Sequence, residues 1–209
     1  MIRPAGFRGA LFGDAADGNG RDDARSRRRI SATLDISSRW ASVRQVHGDV
    51  VICVDRPGRA GAADGLITER PDVPLVVATA DCMPIIIEGI TSVAVLHAGW
   101  RGVAAGIIAA GLAAMADLGD TPQRAAIGPS IGPCCYQVGD EVVAAIGGYG
   151  ATTTDGRTSA DLWSAAEDQL AGTPVWRSDE CTYTNTGLWS YRRDETENRQ
   201  VAVAWIPRR

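Results

Sequence analysis

Two short apolar runs, residues 75–80 and residues 93–96, constrain the fold of this chain more than any other feature. Both are rich in valine and leucine, and their length is typical of buried β-strands. Each run leads directly into side chains that bind metals: Asp81 and Cys82 follow the first, and His97 follows the second. A polar group placed immediately after a strand lies at a sheet edge, where folds commonly deliver chemistry.

A third segment of the same kind contains the second of only two histidines, His47. Residues 42–54 alternate and then become apolar, which predicts two strand pieces joined at a turn or bulge, with His47 at the corner. Imidazole and thiolate are the usual zinc ligands, and three protein ligands with one open position are typical of catalytic zinc. His47, Cys82 and His97 are therefore candidate ligands. Their long spacing is a weak signal, because isolated His and Cys residues are more often core residues.

His97 is followed by Ala-Gly-Trp-Arg-Gly and then by a helical pattern over residues 103–118. This order predicts that His97 and Arg101 lie at or near a helix N-terminus, where free backbone N–H groups and the helix dipole favour an anion. Gly119 is the expected end of that helix. The sequence therefore predicts an anion site beside the candidate metal ligands.

Composition narrows the class of function. A net charge of −4 and a pI near 5.2 argue against binding to nucleic acid or to an anionic membrane. Asp81 and Glu88 interrupt the longest apolar stretch, and the first residues lack the apolar core of a signal peptide, so no membrane span is predicted. An odd number of cysteines, five, without an export signal indicates reduced thiols and a cytoplasmic location.

Three further groups are ambiguous from the sequence. Asp64 is either a site carboxylate or a turn residue that precedes a strand, and the turn is the favoured interpretation. Cys134 and Cys135 are adjacent, and neighbouring side chains of an extended chain point to opposite faces. We therefore expect buried structural thiols rather than two ligands of one site. Arg192 and Arg193 either reach a phosphate or carboxylate, or pair with the acidic residues that follow them.

The other segments give simpler expectations. Residues 14–29 are predicted to form an exposed loop that runs into a helix, and residues 56–63 a loop punctuated by Pro and Gly. An amphipathic helix is expected to begin near Ser159 or Asp161. Residues 200–206 are expected to form the last strand.

Several motifs, taken together, resemble the laccase-domain family, also described as multicopper-polyphenol-oxidase-like proteins. The pair of Thr-Ala-Asp-Cys and His-Ala-Gly-Trp-Arg-Gly is highly specific, whereas the match weakens before about residue 40, which leaves residues 1–39 as a divergent N-terminal segment. The matching pieces run in order from about residue 43 to the C-terminus: QVHG at 45–48, ADG at 63–65, TADCMP at 79–84, HAGWRG at 97–102, IGP through CCY at 127–136, DLW at 161–163, CT at 181–182 and SYRR at 190–193.

The resemblance implies an α/β fold of the α+β type, with two packed mixed β-sheets flanked by helices in a single domain over residues 1–209. It also implies a zinc site made of His47, Cys82 and His97. Bacterial members of the family are described as purine nucleoside phosphorylases with adenosine deaminase activity. For this chain the resemblance implies zinc-dependent phosphorolysis of adenosine, inosine, guanosine or methylthioadenosine to free base and ribose 1-phosphate, together with deamination of adenosine.

Roles for three other residues follow from this interpretation. Asp81, next to the ligand Cys82, is the nearest carboxylate for moving protons during deamination. Arg101 is the candidate phosphate ligand, because a guanidinium group offers a planar bidentate fork. Gln45, two residues before His47, is expected on the same strand face and is a candidate contact for the base or sugar. The expected partners are purine nucleosides and phosphate.

Three other functions fit part of the sequence. Cys82 as nucleophile with His97 as base would give a cysteine hydrolase. A copper-dependent polyphenol oxidase follows from the older family name, but such an enzyme needs more than two histidines; copper can still occupy a zinc site adventitiously. A non-catalytic role, for instance in cell-wall precursor quality control, gains support from the divergent residues 1–39.

Overall fold

The computed structural model of the chain describes residues 1–20 and 22–208. Within these residues the chain forms strands that are mostly short, and the longest, of seven residues, begins directly after Cys82. In chain order the strands are β1 (Ala10–Phe12), β2 (Ala41–Arg44), β3 (Val51–Cys53), β4 (Gly58–Ala62), β5 (Gly65–Thr68), β6 (Leu75–Thr79), β7 (Met83–Gly89), β8 (Val93–Ala98), β9 (Pro122–Ile127), β10 (Gly150–Thr152), β11 (Thr158–Ala160), β12 (Val175–Arg177) and β13 (Gln200–Ala204).

Helices connect and cover these strands, and a short 3₁₀ helix spans Ala15–Asp17. Among residues 1–20 and 22–208, no helix combines the length and the apolarity that crossing a membrane requires. The α-helices are α1 (Ala24–Leu34), α2 (Trp100–Ala105), α3 (Ile107–Asp117), α4 (Asp140–Ala145), α5 (Leu162–Gln169) and α6 (Tyr191–Asp194).

The strands form two large mixed sheets and a two-stranded ribbon of β10 and β11. The first sheet has the order β1-β13-β6-β2-β4, antiparallel at one end and parallel from β6 to β4. The second sheet has the order β12-β9-β7-β8-β5-β3, parallel at its two ends and antiparallel in its centre. This architecture confirms the mixed α/β, single-domain fold that the sequence predicts.

Four layers result from how the sheets bury their faces. The two sheets pack on each other through one apolar cluster, α1 covers the outer face of the first sheet, and α2, α3, α4 and α5 cover the outer face of the second. In β7 the side chains alternate accordingly: Ile85 and Ile87 face the helices, and Ile86 faces the first sheet. Strands buried on both faces have continuous apolar sequences. This explains the apolar runs at residues 75–80 and 93–96.

Several predicted boundaries are wrong. The single helix expected over residues 103–118 is two helices, because Gly106 adopts a left-handed conformation with φ of +98° and separates α2 from α3. The loop expected over residues 56–63 contains the edge strand β4. Asp161 caps α5 through its side chain, whereas Ser159 lies in β11. The helix expected after the charged segment is confirmed by α1, but most of residues 14–20 are half-buried or buried rather than an exposed loop.

Residues 1–39 are integrated into the fold despite their divergent sequence. Strand β1 pairs with β13 at the edge of the first sheet, and α1 lies against the outer face of that sheet. Leu11 and Ile30 are fully buried. This segment therefore contributes to the core, and the description of residues 1–209 as one phosphorylase domain stays a prediction.

Two crossings of the chain between the sheets position the predicted ligands. The chain leaves the first sheet at the end of β2 and enters the second at β3; it makes the same crossing from β6 to β7. Both crossings contain a non-glycine residue in the left-handed region, His47 with φ of 62° and Asp81 with φ of 88°. Backbone strain of this kind is typical of functional sites. The corner predicted at His47 is confirmed.

Candidate metal centre and its cavity

The pairing of strands in the second sheet places Asp64 and Cys82 beside His97. This residue lies within β8 rather than after it, and pairs with Pro84 of β7. Cys82 comes two residues before Pro84 and therefore approaches from the same side. On the other neighbour of β8, Gly65 pairs with Leu96, which puts Asp64 beside His97. The His97 N–H donates to the Asp64 carbonyl at 2.7 Å.

The Asp64 carboxylate orients the centre. It accepts a hydrogen bond from His97 Nδ1 at 2.8 Å, with both side chains buried. It also accepts from the N–H groups of Val46, His47 and Gly48 at 2.7–3.2 Å. Asp64 does stabilise a turn, as predicted, but the favoured interpretation missed its contact with His97. That contact depends on the pairing of β5 with β8, which no spacing in the sequence reveals.

The three predicted ligands meet in one place. The donor atoms of His47, Cys82 and His97 all lie within 4.8 Å of one another. The two imidazole rings have centroids 4.7 Å apart in an edge-on arrangement. Because Asp64 occupies Nδ1 of His97, the other ring nitrogen, Nε2, remains for a metal, as in carboxylate–histidine–metal groups. His97 is buried, Cys82 half-buried and His47 exposed, so the group opens to solvent on one side.

Space beside these ligands is kept by Gly99. A Cβ atom at this position would lie 3.0 Å from Cys82 Sγ and 3.1 Å from His47 Cδ2. Both distances are tighter than ordinary van der Waals contact, so a larger residue would crowd the sulfur and the ring. Two imidazoles, one thiol and a buried orienting carboxylate fit a metal of the zinc class. The residues present could therefore hold a metal ion.

Cys82 and His97 form a pair of opposite charges, a thiolate beside an imidazolium. Burial by itself would raise the pKa of Cys82, but the charge of His97 and hydrogen bonds from both histidines lower it to about 6. Burial would likewise lower the pKa of His97, but the Cys82 thiolate and the Asp64 carboxylate raise it to about 9. Against its own burial, Asp64 has a lowered pKa because His97 and backbone N–H groups donate to it. The thiolate form is the one that binds metals.

A cavity of about 500 Å³ opens beside the three ligands. Two arginine–tyrosine pairs also line this cavity, with Arg192 over the ring of Tyr136 at 5.3 Å and Arg199 over the ring of Tyr191 at 5.7 Å. The sequence analysis did not identify Tyr136, Tyr191 or Arg199 as site residues. The cavity lining is completed by Gln45, residues 78–81 and Glu197.

Asp81 lines the cavity as predicted, but both carboxylate oxygens have partners. Oδ1 accepts from the Thr182 hydroxyl at 2.6 Å, and Oδ2 accepts from the backbone N–H of Arg192 at 2.6 Å. Asp81 therefore joins the β6–β7 crossing to the start of α6. Its proposed role in proton transfer stays a prediction, while its observed contacts position Arg192.

Gln45 lines the cavity but its amide is already paired with the backbone, and Arg101 does not line the cavity. Gln45 lies after the end of β2, and its amide is paired with the backbone of Ala78: Nε2 donates to the carbonyl at 2.9 Å, and Oε1 accepts from the N–H at 3.0 Å. Arg101 is exposed, lies over the ring of Trp100 at 4.6 Å, and is not among the residues that line the cavity. Both assignments remain predictions without a direct contact in their favour.

The structure separates the two adjacent arginines. Arg192 faces the cavity, and its guanidinium also donates to the carbonyl of Gln137 at 2.9 Å. Arg193 pairs with Asp194 and donates to backbone carbonyls of the loop over residues 182–188. Of the two predicted alternatives, anion binding fits Arg192 and surface pairing fits Arg193.

The prediction for the adjacent cysteines is wrong. Cys134 and Cys135 lie in a turn, not in an extended strand, and their sulfur atoms converge at 2.7 Å. With Cys181 they form a second group whose sulfur atoms lie within 4.8 Å of one another. Both adjacent thiols are half-buried rather than buried. Burial raises the pKa of both, whereas N–H groups of residues 132, 183 and 184 lower that of Cys181 against its burial.

Comparison with known proteins agrees with this architecture. A family model described as multi-copper polyphenol oxidoreductase laccase matches residues 11–207. The structure of YlmD from Geobacillus stearothermophilus superposes with a TM-score of 0.85 at 28% identity, covering 100% of this chain and 98% of that one. Bacillus licheniformis hypothetical protein YfiH superposes with a TM-score of 0.79 at 29% identity, covering 87% and 80%.

Curated relatives carry a common description. Purine nucleoside phosphorylase YfiH of Escherichia coli is 34% identical over 196 residues, covering 87% of this chain and 79% of its own length. Purine nucleoside phosphorylase of Deinococcus radiodurans is 35% identical over 218 aligned positions, covering 97% and 84%. The similarity therefore covers 87–97% of this chain and 79–84% of these two relatives.

Proposed function

The chain belongs to the family described as multi-copper polyphenol oxidoreductase laccase, and from that premise we propose that it is a zinc-dependent purine nucleoside phosphorylase with adenosine deaminase activity. The relatives named above support phosphorolysis. The deaminase activity and the choice among adenosine, inosine, guanosine and methylthioadenosine rest on the family resemblance. A cytoplasmic location, expected from the cysteine content, remains part of the same proposal.

One observation carries the proposal: the metal ligands and two guanidinium groups line the same cavity. His47, Cys82 and His97 line it together with Arg192 and Arg199. The volume of about 500 Å³ falls in the usual range of small-molecule sites, about 300–1,000 Å³. A nucleoside and a phosphate ion need such a combination of size, anion-binding donors and aromatic surface.

We assign phosphate binding to Arg192 and Arg199. A guanidinium donates two parallel hydrogen bonds to a phosphate, which also neutralises part of its charge. Arg192 is held in place by its backbone contact with Asp81 and its guanidinium contact with the Gln137 carbonyl. Arg199 donates to the carbonyls of residues 196 and 198, which orients it similarly. In phosphorolysis a phosphate oxygen forms a bond to ribose C1′, while the bond from C1′ to the purine nitrogen breaks.

Tyrosines supply the aromatic surface. Tyr136 and Tyr191 line the cavity, and aromatic rings offer stacking area to a purine base. Burial raises the pKa of Tyr136 to about 12, so its hydroxyl keeps its proton at neutral pH. We assign Tyr136 the role of a hydrogen-bond donor to the leaving purine, which must gain a proton as the glycosidic bond breaks.

The metal would be held by His47, Cys82 and His97. When bound, zinc supplies Lewis acidity that lowers the pKa of a coordinated water to about 7. The chain's own residues prepare the site: Asp64 fixes the orientation of His97, and Gly99 leaves room beside the sulfur. For deamination, water must add to purine C6 and ammonia must leave. Asp81 is the cavity carboxylate nearest to the ligands in sequence and is proposed to assist proton movement there.

A cysteine hydrolase is the second candidate, and a specific observation favours it. The lowered pKa of Cys82 and the raised pKa of His97 describe the thiolate–imidazolium pair that such enzymes use. The same pair is what a metal site needs, so the metal requirement distinguishes the two. Full activity of the metal-free protein would favour the hydrolase.

Copper-dependent phenol oxidation fits the descriptive name of the family, but the chain contains two histidines in total. A multicopper centre needs more imidazole ligands than this. Adventitious copper in the zinc site accounts for copper content without that reaction. A non-catalytic role, such as quality control of cell-wall precursors, would apply if metal-loaded protein had no turnover.

The test is product analysis with purified, metal-quantified protein. Adenosine and inosine are incubated separately, with and without phosphate, and the products are separated by chromatography. Free base and ribose 1-phosphate that form only with phosphate support the phosphorylase, and inosine formed from adenosine in either condition supports the deaminase. Absence of turnover in zinc-loaded protein would contradict both activities.

A further inference from the structure

We propose that Cys134, Cys135 and Cys181 form a second metal site, which binds one thiophilic closed-shell ion, Zn²⁺ or Cu⁺, through three thiolates. Their sulfur atoms lie within 4.8 Å of one another, and the three residues are separate from the His47 centre. Thiolate ligands select ions of this class. The inference concerns binding only and does not depend on the proposed reaction.

The two adjacent cysteines converge because the chain turns between them. The N–H groups of Cys135 and Tyr136 both donate to the Gly132 carbonyl at 3.0 Å. The turn brings Cys134 Sγ to 2.7 Å from Cys135 Sγ and 3.6 Å from Cys181 Sγ. Two sulfurs bound to one zinc at about 2.3 Å lie roughly 3.8 Å apart. The Cys134–Cys181 separation is already close to that value, and the Cys134–Cys135 separation must widen by roughly 1 Å.

The sulfur of Cys181 already has the surroundings of a ligand. Its Sγ accepts a hydrogen bond from the Gly132 N–H at 3.2 Å, and N–H donors to sulfur are a common outer shell of metal-bound thiolates. A Cβ atom at Gly132 would lie 2.8 Å from the Trp163 ring and 3.4 Å from Cys181 Cβ. The glycine is required by the Trp163 ring, whereas Cys181 lies at an ordinary contact distance from the turn. Cys181 is buried and the other two thiols are half-buried, so the group is open to solvent on one side.

The position of the cluster would let a bound ion connect two segments of the chain. It would join the turn over residues 132–136 to the loop that begins at Cys181. Thr182, the next residue, donates from its backbone to Ser130 and from its hydroxyl to Asp81. Tyr136, which follows Cys135, lines the cavity. An ion on the three sulfurs would therefore fix two segments behind the cavity, with water as the fourth ligand that zinc prefers.

Binding requires the three thiols to lose their protons to the solvent as three metal–sulfur bonds form. A disulfide between Cys134 and Cys181 is the competing structure, and it would need an oxidant. A reducing buffer separates the two, because it removes the disulfide and leaves the thiols available to metal. The experiment is therefore carried out under a phosphine reductant and without chelator.

The first measurement is metal content after equilibration with Zn²⁺ or, in parallel, Cu⁺, followed by desalting. We expect two equivalents in the wild type and one in Cys82→Ala, which lacks a ligand of the first centre. The double variant Cys82→Ala/Cys181→Ser is expected to retain none. Its matched control, Cys82→Ala/Cys53→Ser, removes an exposed cysteine outside both groups and is expected to retain one.

Cobalt substitution identifies the ligands. Co²⁺ bound by Cys82→Ala is expected to give the intense near-ultraviolet charge-transfer bands of thiolate ligands, and these bands disappear in Cys82→Ala/Cys181→Ser. If Cys181→Ser does not fold, as judged by circular dichroism, Cys134→Ser replaces it. A single equivalent in reduced wild type, or metal that remains in the double variant, would overturn the proposal.

Discussion

The His47/Cys82/His97 centre and the Cys134/Cys135/Cys181 cluster each gather three metal-binding side chains, but by different means. Strand register assembles the first: β8 lies between β5 and β7, so His97 has Asp64 on one side and Cys82 on the other. A turn and a loop assemble the second, through two hydrogen bonds to the Gly132 carbonyl and one from the Gly132 N–H to Cys181 Sγ. A pleated sheet fixes side-chain positions more firmly than a loop.

The two groups also differ in charge. The lowered pKa of Cys82 and the raised pKa of His97 make the first group ionic without a metal. Cys134 and Cys135, in contrast, have raised pKa values because partial burial removes water from their thiols. The first group is therefore prepared for chemistry at neutral pH. The second group keeps two neutral thiols until an ion displaces their protons.

The largest expected effect is a loss of enzymatic activity that is far greater in a variant of the first group than in a variant of the second. Cys82→Ala removes the one thiolate of the first group, and we expect phosphorolysis of inosine to fall by about 10³-fold or more. Cys181→Ser, in the second group, is expected to lower it by less than about tenfold. Initial rates with metal content measured on the same samples provide the test. Equal losses in both variants would remove the functional distinction between the groups.

Asp64→Asn tests whether the carboxylate orients the first centre. An orienting partner of a metal-bound histidine typically contributes about 10–100-fold in metal affinity, and we expect a loss of that size by competition with a chelator. Asp120→Asn is the matched control, because Asp120 is also buried and accepts from several backbone N–H groups, but lies outside the centre. The control should lose stability and keep its zinc affinity; equal loss of affinity in both variants contradicts the assignment.

Alkylation of the metal-free protein compares the thiols directly. Cys82 with a pKa of about 6 is mostly thiolate at pH 7, and its rate with iodoacetamide should rise through about pH 6 and level off above it. An unperturbed thiol with a pKa near 8.5 is only a few per cent thiolate at that pH. Peptide mass mapping should show Cys82 reacting roughly tenfold or more faster at pH 7 than Cys134 or Cys135. Zn²⁺ should protect Cys82, and a rate that rises only above pH 8 would contradict the ionic pair.

Two arginine variants test which guanidinium binds phosphate. Arg192 lines the cavity and Arg101 does not, although the sequence favoured Arg101. We expect Arg192→Ala to raise the KM for phosphate about tenfold, the loss of one charged hydrogen bond. Arg101→Ala should change it less than about threefold. The reverse order would restore the assignment made from the sequence.

The smallest expected effect concerns space beside Cys82. Gly99→Ala places a methyl group 3.0 Å from Cys82 Sγ, and we expect zinc affinity to fall by a few-fold because the sulfur must shift. Gly139→Ala is the matched control: both glycines precede a helix with φ near −80°, but the Gly139 methyl meets only the flexible Glu141 side chain. An unchanged affinity in Gly99→Ala would show that the site has room to spare.

The sequence predicts the first group well because its ligands flank long apolar strands. The runs that became β6 and β8 and the corner at His47 are local patterns, readable without tertiary information. Asp64 was misjudged because its contact with His97 requires the pairing of β5 with β8, a long-range choice. Arg199 and Tyr191 reach the cavity from segments far along the chain, and no local pattern marks them.

The second group was missed for a local reason. Adjacent cysteines were treated as an extended segment, whereas Gly132 accepts two hydrogen bonds and turns the chain. Likewise Gly106 interrupts a helix that its apolar periodicity predicts as continuous. Glycine-rich segments leave the backbone several conformations of similar energy, and tertiary packing decides among them.

The most direct test of the account is a zinc titration of metal-free Cys134→Ser protein, with ribose 1-phosphate measured from inosine and phosphate. This variant lacks a ligand of the second group, so added zinc reports on the first centre. We predict no product without zinc, a rate that rises linearly, and a plateau at one equivalent. Full activity in the metal-free protein, or a rate that does not follow occupancy, would contradict the claim that His47, Cys82 and His97 form the catalytic metal site.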